Sequence, residues 1–148
     1  MPILRNIKTL KTTSVLVKPT TVVTKIRNFT LTQDIPKGIG GEDKGPTPTE
    51  VLLASLAGCI GIVMAYHSKR FNVDIDELKI DVEGDYDPRG FMGYDVKAGF
   101  TEIRARIEIK TNSPRDRVEK LVRFVESHCP ISDTLTSPTK VSIKYSLK

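Results

Sequence analysis

The stretch "GPTPTEVLLASLAGC", residues 45–59, decides how the chain is read. A loop of glycine and proline delivers the backbone to an acid, Glu50, and then to sixteen uncharged residues, Val51 to Tyr66, with Cys59 among them. Pro48 fits the first turn of a helix, where its missing N–H costs nothing, and Thr47 or Thr49 can cap free amides there. At the far end, the charges of "HSKR" (67–70) complement the dipole of a helix C-terminus. The pattern predicts a helix from about residue 48 to 70, apolar nearly all round, as in a helix enclosed by protein on every side. Its uncharged run is shorter than the roughly 20 apolar residues of a bilayer span, so we expect a core helix and no membrane partner. Gly58 and Gly61, on either side of Cys59, allow another backbone to come close or the helix to bend.

Working outward, residues 12–34 are rich in Thr and Val with partial alternation, and "KPTT" and "IRNF" can supply turns, which predicts two or three antiparallel strands. The segment that follows, up to Glu50, carries four Gly and three Pro and reads as a loop. Beyond the helix, "KIDVEGDYD" and "FTEIRARIEIKTN" alternate as strands do, with "PRGFMGYDVKAG" between them as a long hairpin excursion. "SPRDRVEKLVRFVESHC" starts at a Ser-Pro pair and spaces Val118, Leu121, Val122 and Val125 helically, predicting a second, amphipathic helix that ends near Cys129. After it come a proline break, a turn capped by Ser or Asp, and a last alternating strand, "KVSIKYSL". Strands, helix, strands, helix, strand is the order of an α+β fold with a mainly antiparallel sheet.

A length of 148 residues suits one domain, 1–148, and 39% hydrophobic with 28% charged residues is the balance of a soluble globular protein, which excludes disordered and fibrous classes. The net charge of +5 is gathered at the front: Arg5, Lys8, Lys11, Lys18, Lys25 and Arg27 all precede the first acid, Asp34, and residues 1–12 read as a basic arm. No aromatic interleaving and no helix-turn-helix or RNA-binding signature accompanies that charge, so nucleic acid is not an expected partner. No long apolar core with a small-residue cleavage site opens the chain, and the expected location is the cytoplasm. His67 and His128 lack ligand spacing, no C-x-x-C occurs, and Gly40-Gly41 has no GKS or GKT ending; neither a metal nor a cofactor is expected.

Three side chains carry the chemistry. Cys59, taken alone, also fits a small buried hydrophobe. Cys129 sits at a helix end before Pro130, where the thiol can be reached, and Glu50, taken alone, needs no role beyond complementing the helix dipole. A peroxide-reducing thiol requires a thiolate, a cation to hold it, and a second thiol to capture the sulfenic acid. Nine residues along an ideal helix place Glu50 and Cys59 on opposite faces, about 13 Å apart along the axis, so a site shared by both requires a kink or a second chain.

Two stretches together, "GGEDKGPTPTEVLLASLAGC" (40–59) and "HCPISDTL" (128–135), resemble the OsmC/Ohr family of osmotically inducible and organic-hydroperoxide-resistance proteins, within its broad OsmC-like branch. Pro48, Glu50 and Cys59 lie in register with the first family motif, and Cys129-Pro130, Ser132 and Leu135 with the second. The resemblance runs from about Val22 to the C-terminus. It implies the OsmC-like fold, antiparallel sheets around a long central buried helix, in an intertwined homodimer with two sites at the subunit interface. It further implies a thiol-dependent peroxidase with Cys59 as attacking thiol, Cys129 as resolving thiol and Glu50 orienting an arginine that holds the Cys59 thiolate. The implied partners are a small hydroperoxide and a dithiol reductant, often of lipoyl type. In the family that arginine sits in an N-terminal hairpin, often in a Gly-Arg context; this chain has "KIRNF" there, which makes Arg27 the candidate, with Lys18 or Lys25 as substitutes. Val51, Leu52, Leu56, Ile60 and Met64 would line the site and favour an organic peroxide. The alternative is a non-catalytic protein of the same fold that binds a small apolar ligand or a partner, its thiols merely buried.

Overall fold

A computed structural model of the chain describes residues 6–148, which form two compact units, one running to Val51 and the other from Leu52 onward. Residues 6–12 of the expected basic arm are irregular and exposed; residues 1–5 lie outside the described residues.

In the first unit β1 (Thr13–Val17), β2 (Thr21–Ile26) and β3 (Phe29–Gln33) form an antiparallel sheet in the order β1-β2-β3. Alternation sets its register: Val15 faces Val23, which faces Thr32, and the Ser14 and Thr24 hydroxyls bond across the strands at 2.8 Å. The β2–β3 turn is as tight as "IRNF" predicts, with Ile26 paired to Phe29 and Arg27 in the left-handed region at φ 54°.

The glycine- and proline-rich loop that follows is organised by one buried carboxylate. Asp34 accepts hydrogen bonds from the Thr20 and Thr21 hydroxyls at 2.7 and 2.9 Å, and from the backbone N–H groups of Ile35, Glu42 and Lys44 at 2.8 to 3.3 Å. The Thr20 hydroxyl foremost, with the Ile35 N–H, the Thr21 hydroxyl and the Lys44 N–H, holds its carboxyl well below the usual carboxylate range against the opposing effect of burial. A loop with so few side chains to pack takes its shape from this single acceptor.

Helix α1 (Pro48–His67) begins where the sequence places it and runs into a 3-10 turn at Ser68–Phe71. Through Phe71 it has 24 residues, which by length and composition are enough to cross a membrane. Within the second unit it serves as the core helix: Leu56, Ile60 and Met64, spaced i, i+4, i+8, join Val73, Leu121, Val125 and Cys129 in one buried cluster. Leu121 and Val125 come from α2 (Arg115–His128), the amphipathic helix expected from its spacing. Strands β4 (Glu77–Tyr86) and β5 (Phe100–Lys110) pair antiparallel, and their alternate residues Leu78, Ile80, Val82, Ile103, Ile107 and Ile109 pack against the same cluster. Gly61 faces the sheet closely: a Cβ there would stand 3.3 Å from Ile80 Cδ1, slightly inside ordinary contact. Residues 87–99 between the strands form the irregular excursion that the sequence predicts. The architecture is thus α+β, with antiparallel sheets and a core helix. On α1 itself Ile62 and Tyr66 stay exposed, at 70% and 80%.

Two expectations are corrected. The last strand, "KVSIKYSL", does not form: the backbone from residue 138 to 148 is irregular, and Val141, Ile143, Tyr145 and Leu147 are exposed. Alternation makes a segment able to pair, but a strand exists only when another edge supplies the hydrogen bonds. The "turn" after Cys129 is instead a short helix, α3 (Pro130–Thr136). Pro130 takes its first position, where proline starts a helix as readily as it ends one.

The loop around Asp34 yields a test. Asp34→Asn keeps the shape but loses the charge that draws in five donors, and should lower the melting temperature by about 4 °C or more at neutral pH. Because the folded pKa lies below the unfolded one, the contribution of Asp34 is complete above about pH 5 and is lost as the pH falls through about 4 and below. The gap between wild type and variant, followed by circular dichroism, should therefore close in acid; a gap unchanged down to pH 3 would show that the carboxylate charge is not what holds the loop.

Candidate functional site

Where α2 ends, the Cys129 N–H still bonds the Val125 carbonyl at 2.9 Å, and the Cys129 sulfur then caps α3, accepting from the Ser132 N–H at 3.5 Å. A residue that finishes one helix and caps the next has little freedom, and its side chain faces α1. There it meets Cys59: the Cys129 Sγ–H points at Cys59 Sγ across 2.8 Å. Both cysteines are reduced. A covalent S–S bond is about 2.05 Å long, so closing the gap by about 0.75 Å brings the sulfurs to bonding distance. Seventy residues of sequence separate two thiols that the fold places in contact.

Their exposures reverse one expectation. Cys129, read as the reachable thiol at a helix end, is the buried one, 1% exposed and a member of the core cluster, whereas Cys59 is half-buried. The α2–α3 junction turns Cys129 inward, because the capping geometry fixes the direction of its side chain. Burial pushes the Cys59 thiol above its ordinary range and the neighbouring Cys129 reinforces this, while the Ile131 N–H acts in the opposite sense. Sequence reasoning missed Ile131 and Ser132 as donors to the two sulfurs. The signal was present in "CPIS", where a proline at the first helical position leaves the next amides free.

Glu50 and Arg27 belong to the first unit. Glu50 forms a capping box at the start of α1: its Oε2 accepts from the Thr47 N–H at 2.8 Å, and the Thr47 hydroxyl accepts from the Glu50 N–H at 3.3 Å. Arg27 is exposed at the β2–β3 turn with its guanidinium over the Phe29 ring, 5.2 Å from the centroid. Lys25 donates to the Thr30 hydroxyl at 2.7 Å, and Lys18 is exposed beside the β1–β2 turn.

His67 and His128 flank Phe124, His128 stacked on its ring at 4.0 Å and His67 tilted at 4.5 Å. Among the described residues no group of three or more His, Cys, Asp and Glu side chains converges as metal ligands do. Of the apolar residues expected to line the site, Ile60 and Met64 are spent on the core, and Leu56 alone of the five lines a cleft of about 300 Å³ in the second unit.

Two reduced thiols in contact, one half-exposed and the other buried behind it, can pass from dithiol to disulfide without rearranging the fold. The family model described as OsmC-like protein matches residues 41–144, which contain both cysteines. In sequence the chain is similar to the protein YmaD of Bacillus subtilis (strain 168), 26% identical over 125 residues, 82% of this chain and 81% of that one. Among solved structures it is similar to an OsmC-like protein from Mycoplasma pneumoniae, at a TM-score of 0.75 and 26% identity over 87% of this chain and 88% of that one. An organic hydroperoxide resistance protein OsmC from Legionella pneumophila shares the fold, at a TM-score of 0.62 and 16% identity over 88% and 91%. With that match and the paired thiols, which support a redox function of peroxidase type, the chain belongs to the OsmC-like protein family.

Proposed function

We propose that the protein is a two-cysteine thiol peroxidase that reduces organic hydroperoxides, with Cys59 as the attacking thiol and Cys129 as the resolving one. The observation that carries this reading is the 2.8 Å contact between a half-exposed and a buried thiol. The Cys59 thiolate attacks the distal peroxide oxygen and the O–O bond breaks; the alkoxide takes up a proton and leaves as an alcohol, and Cys59 becomes a sulfenic acid. Cys129 then attacks the Cys59 sulfur, a disulfide forms and water leaves. Two electrons and two protons from an external dithiol, of lipoyl or similar type, restore the thiols by exchange. A reducing compartment such as the cytoplasm suits this cycle.

The direction of the Cys59 shift defines what else the site requires. A thiol held above its ordinary range is a poor nucleophile at neutral pH, and within the second unit burial and the partner thiol both oppose its ionisation. A cation must supply the compensation. We assign this role to Arg27, oriented by Glu50, with Lys18 and Lys25 as substitutes. The assignment draws support from the family resemblance of the Glu50 and Cys59 motif and from the Glu50 oxygen that the capping box does not use.

We also propose a homodimer. Ile62 and Tyr66 on α1 and the alternating apolar residues from Val141 to Leu147 all face solvent in the single chain, a set of exposed apolar side chains that a partner surface would cover. A second copy covers the helix face and offers a sheet edge to the C-terminal segment.

Three tests follow. Cys59→Ser should reduce turnover of cumene hydroperoxide to the uncatalysed background, while Cys129→Ser should still be oxidised once but form no internal disulfide. One equivalent of peroxide should lower the wild-type mass by two daltons with loss of both free thiols. Retained turnover in Cys59→Ser would end its assignment as nucleophile, and thiols inert to peroxide would leave a ligand-binding protein of the same fold, the reading favoured by the cleft beside Leu56.

Arg27→Ala should move the pH at which Cys59 half-reacts with iodoacetamide upward by about one unit or more, since removing a cation disfavours the thiolate. An unmoved profile would transfer the role to Lys18 or Lys25, each testable in the same way.

Light scattering on the full chain should give twice the 16.5 kDa chain mass, falling to one chain in Ile62→Arg. A wild-type monomer would refute the dimer.

A further inference from the structure

The sulfur that closes the proposed disulfide is also the sulfur that starts α3. Cys129 Sγ donates its proton to Cys59 Sγ across 2.8 Å, and the same atom caps the helix by accepting the Ser132 N–H at 3.5 Å. The Ile131 N–H, one residue earlier, is turned to Cys59. Two first-turn amides that have no partner within the helix therefore end on the two redox sulfurs.

Little else secures α3. None of its seven residues is buried, and a helix of that length does not stand alone in water. Half-buried Ile131 packs against the core cluster. The Asp133 N–H bonds the Cys129 carbonyl at 2.9 Å, and the Thr134 and Thr136 hydroxyls donate to the Pro130 and Ser132 carbonyls at 2.7 and 2.9 Å. These three bonds lie within the helix and its cap, so they last only as long as the helix does. By contrast, α2 is anchored by buried Leu121 and Val125.

Oxidation acts on the cap. When the S–S bond forms, the pair gives up two electrons and two protons, and the sulfurs draw together by about 0.75 Å. The cap bond is already long at 3.5 Å, and a disulfide sulfur cannot carry the negative charge that makes a thiolate a strong acceptor for an amide. A cross-link ordinarily restrains the chain around it; here it ties Cys129 to α1 and takes the acceptor away from α3.

We propose that the thiol pair is a redox switch for α3: the helix is fastened while Cys129 is reduced and released when the Cys59–Cys129 disulfide forms. Because α3 begins at Cys129, its release opens a path to a sulfur that is 1% exposed in the reduced protein, and the external dithiol attacks there. This deepens the proposed function and rests on it for the hydroperoxide as oxidant and the dithiol as reductant; the coupling of disulfide to helix needs neither.

The test is hydrogen exchange read by mass spectrometry on the full chain, reduced and after treatment with diamide. This azo compound takes two electrons and two protons from the thiol pair and makes the disulfide without peroxide. In the disulfide form the amides of residues 131–137 should exchange about threefold or more faster than in the reduced form, while those of α2 stay unchanged or slow down. Cys129→Ala, which has no cap and forms no disulfide, should show the fast exchange without diamide. Cys129→Ser, whose hydroxyl is a preferred helix cap, should keep the slow exchange with and without it. Exchange in 131–137 that is unchanged or slower in the disulfide form, an equal acceleration in α2, or a Cys129→Ser variant that exchanges like Cys129→Ala would each overturn the inference, even in a protein that reduces cumene hydroperoxide normally. Release of α3 by diamide in a protein whose thiols ignore peroxide would uphold the inference and refute the peroxidase reading, so the two can fail separately.

Discussion

A helix with no charge between Val51 and Tyr66 must be covered, and most of this structure answers that requirement. Burying a side chain of the size of Leu56, Ile60 or Met64 stabilises by roughly 1.5–3 kcal/mol, and those three form the line against which α2 and the β4–β5 pair assemble. The glycine at 61 faces the same sheet closely, with Ile80 nearest to it. The cover within one chain is one-sided, however. Ile62 and Tyr66 remain in solvent, and with them the apolar residues of the C-terminal segment, so the packing that organises the core leaves one face of its central helix uncovered among the described residues.

The thiol pair sits where this cover is completed. Burial of Cys129 in the core and its double duty at the α2–α3 junction hold its sulfur against Cys59, which makes disulfide formation short in distance. The same burial costs reactivity, because low polarity disfavours the thiolate. Packing within the second unit therefore supplies the proximity of the two sulfurs and at the same time works against ionisation of Cys59.

Much of this was legible in advance. Pro48, the threonines around it and the uncharged run marked α1 almost to the residue, and alternation marked the strands from Thr13 to Gln33 and both partners of the β4–β5 pair. These are local signals, carried by propensity and by periods of 3.6 and 2. The failures were of another kind. "KVSIKYSL" alternates as well as β4 does, but β4 has β5 beside it and residues 138–148 have no ladder in this chain. At "CPIS" the proline ends one helix and also begins the next, and the two amides that face the sulfurs belong to that second helix, which alternation and breaker signals do not mark.

The sequence by itself determined the α+β class, the long apolar helix, the cysteines as the residues worth watching, and, through two short motifs, the family. Each of these depends on residues near one another in the chain or on residue type. Only the tertiary structure decided that Cys59 and Cys129 touch, that Cys129 rather than Cys59 is the buried thiol, and that Leu56 lines a cleft with residues of β5 and α3. Distance and burial between segments seventy residues apart are set by how helices and sheet pack in three dimensions, and no local pattern encodes them.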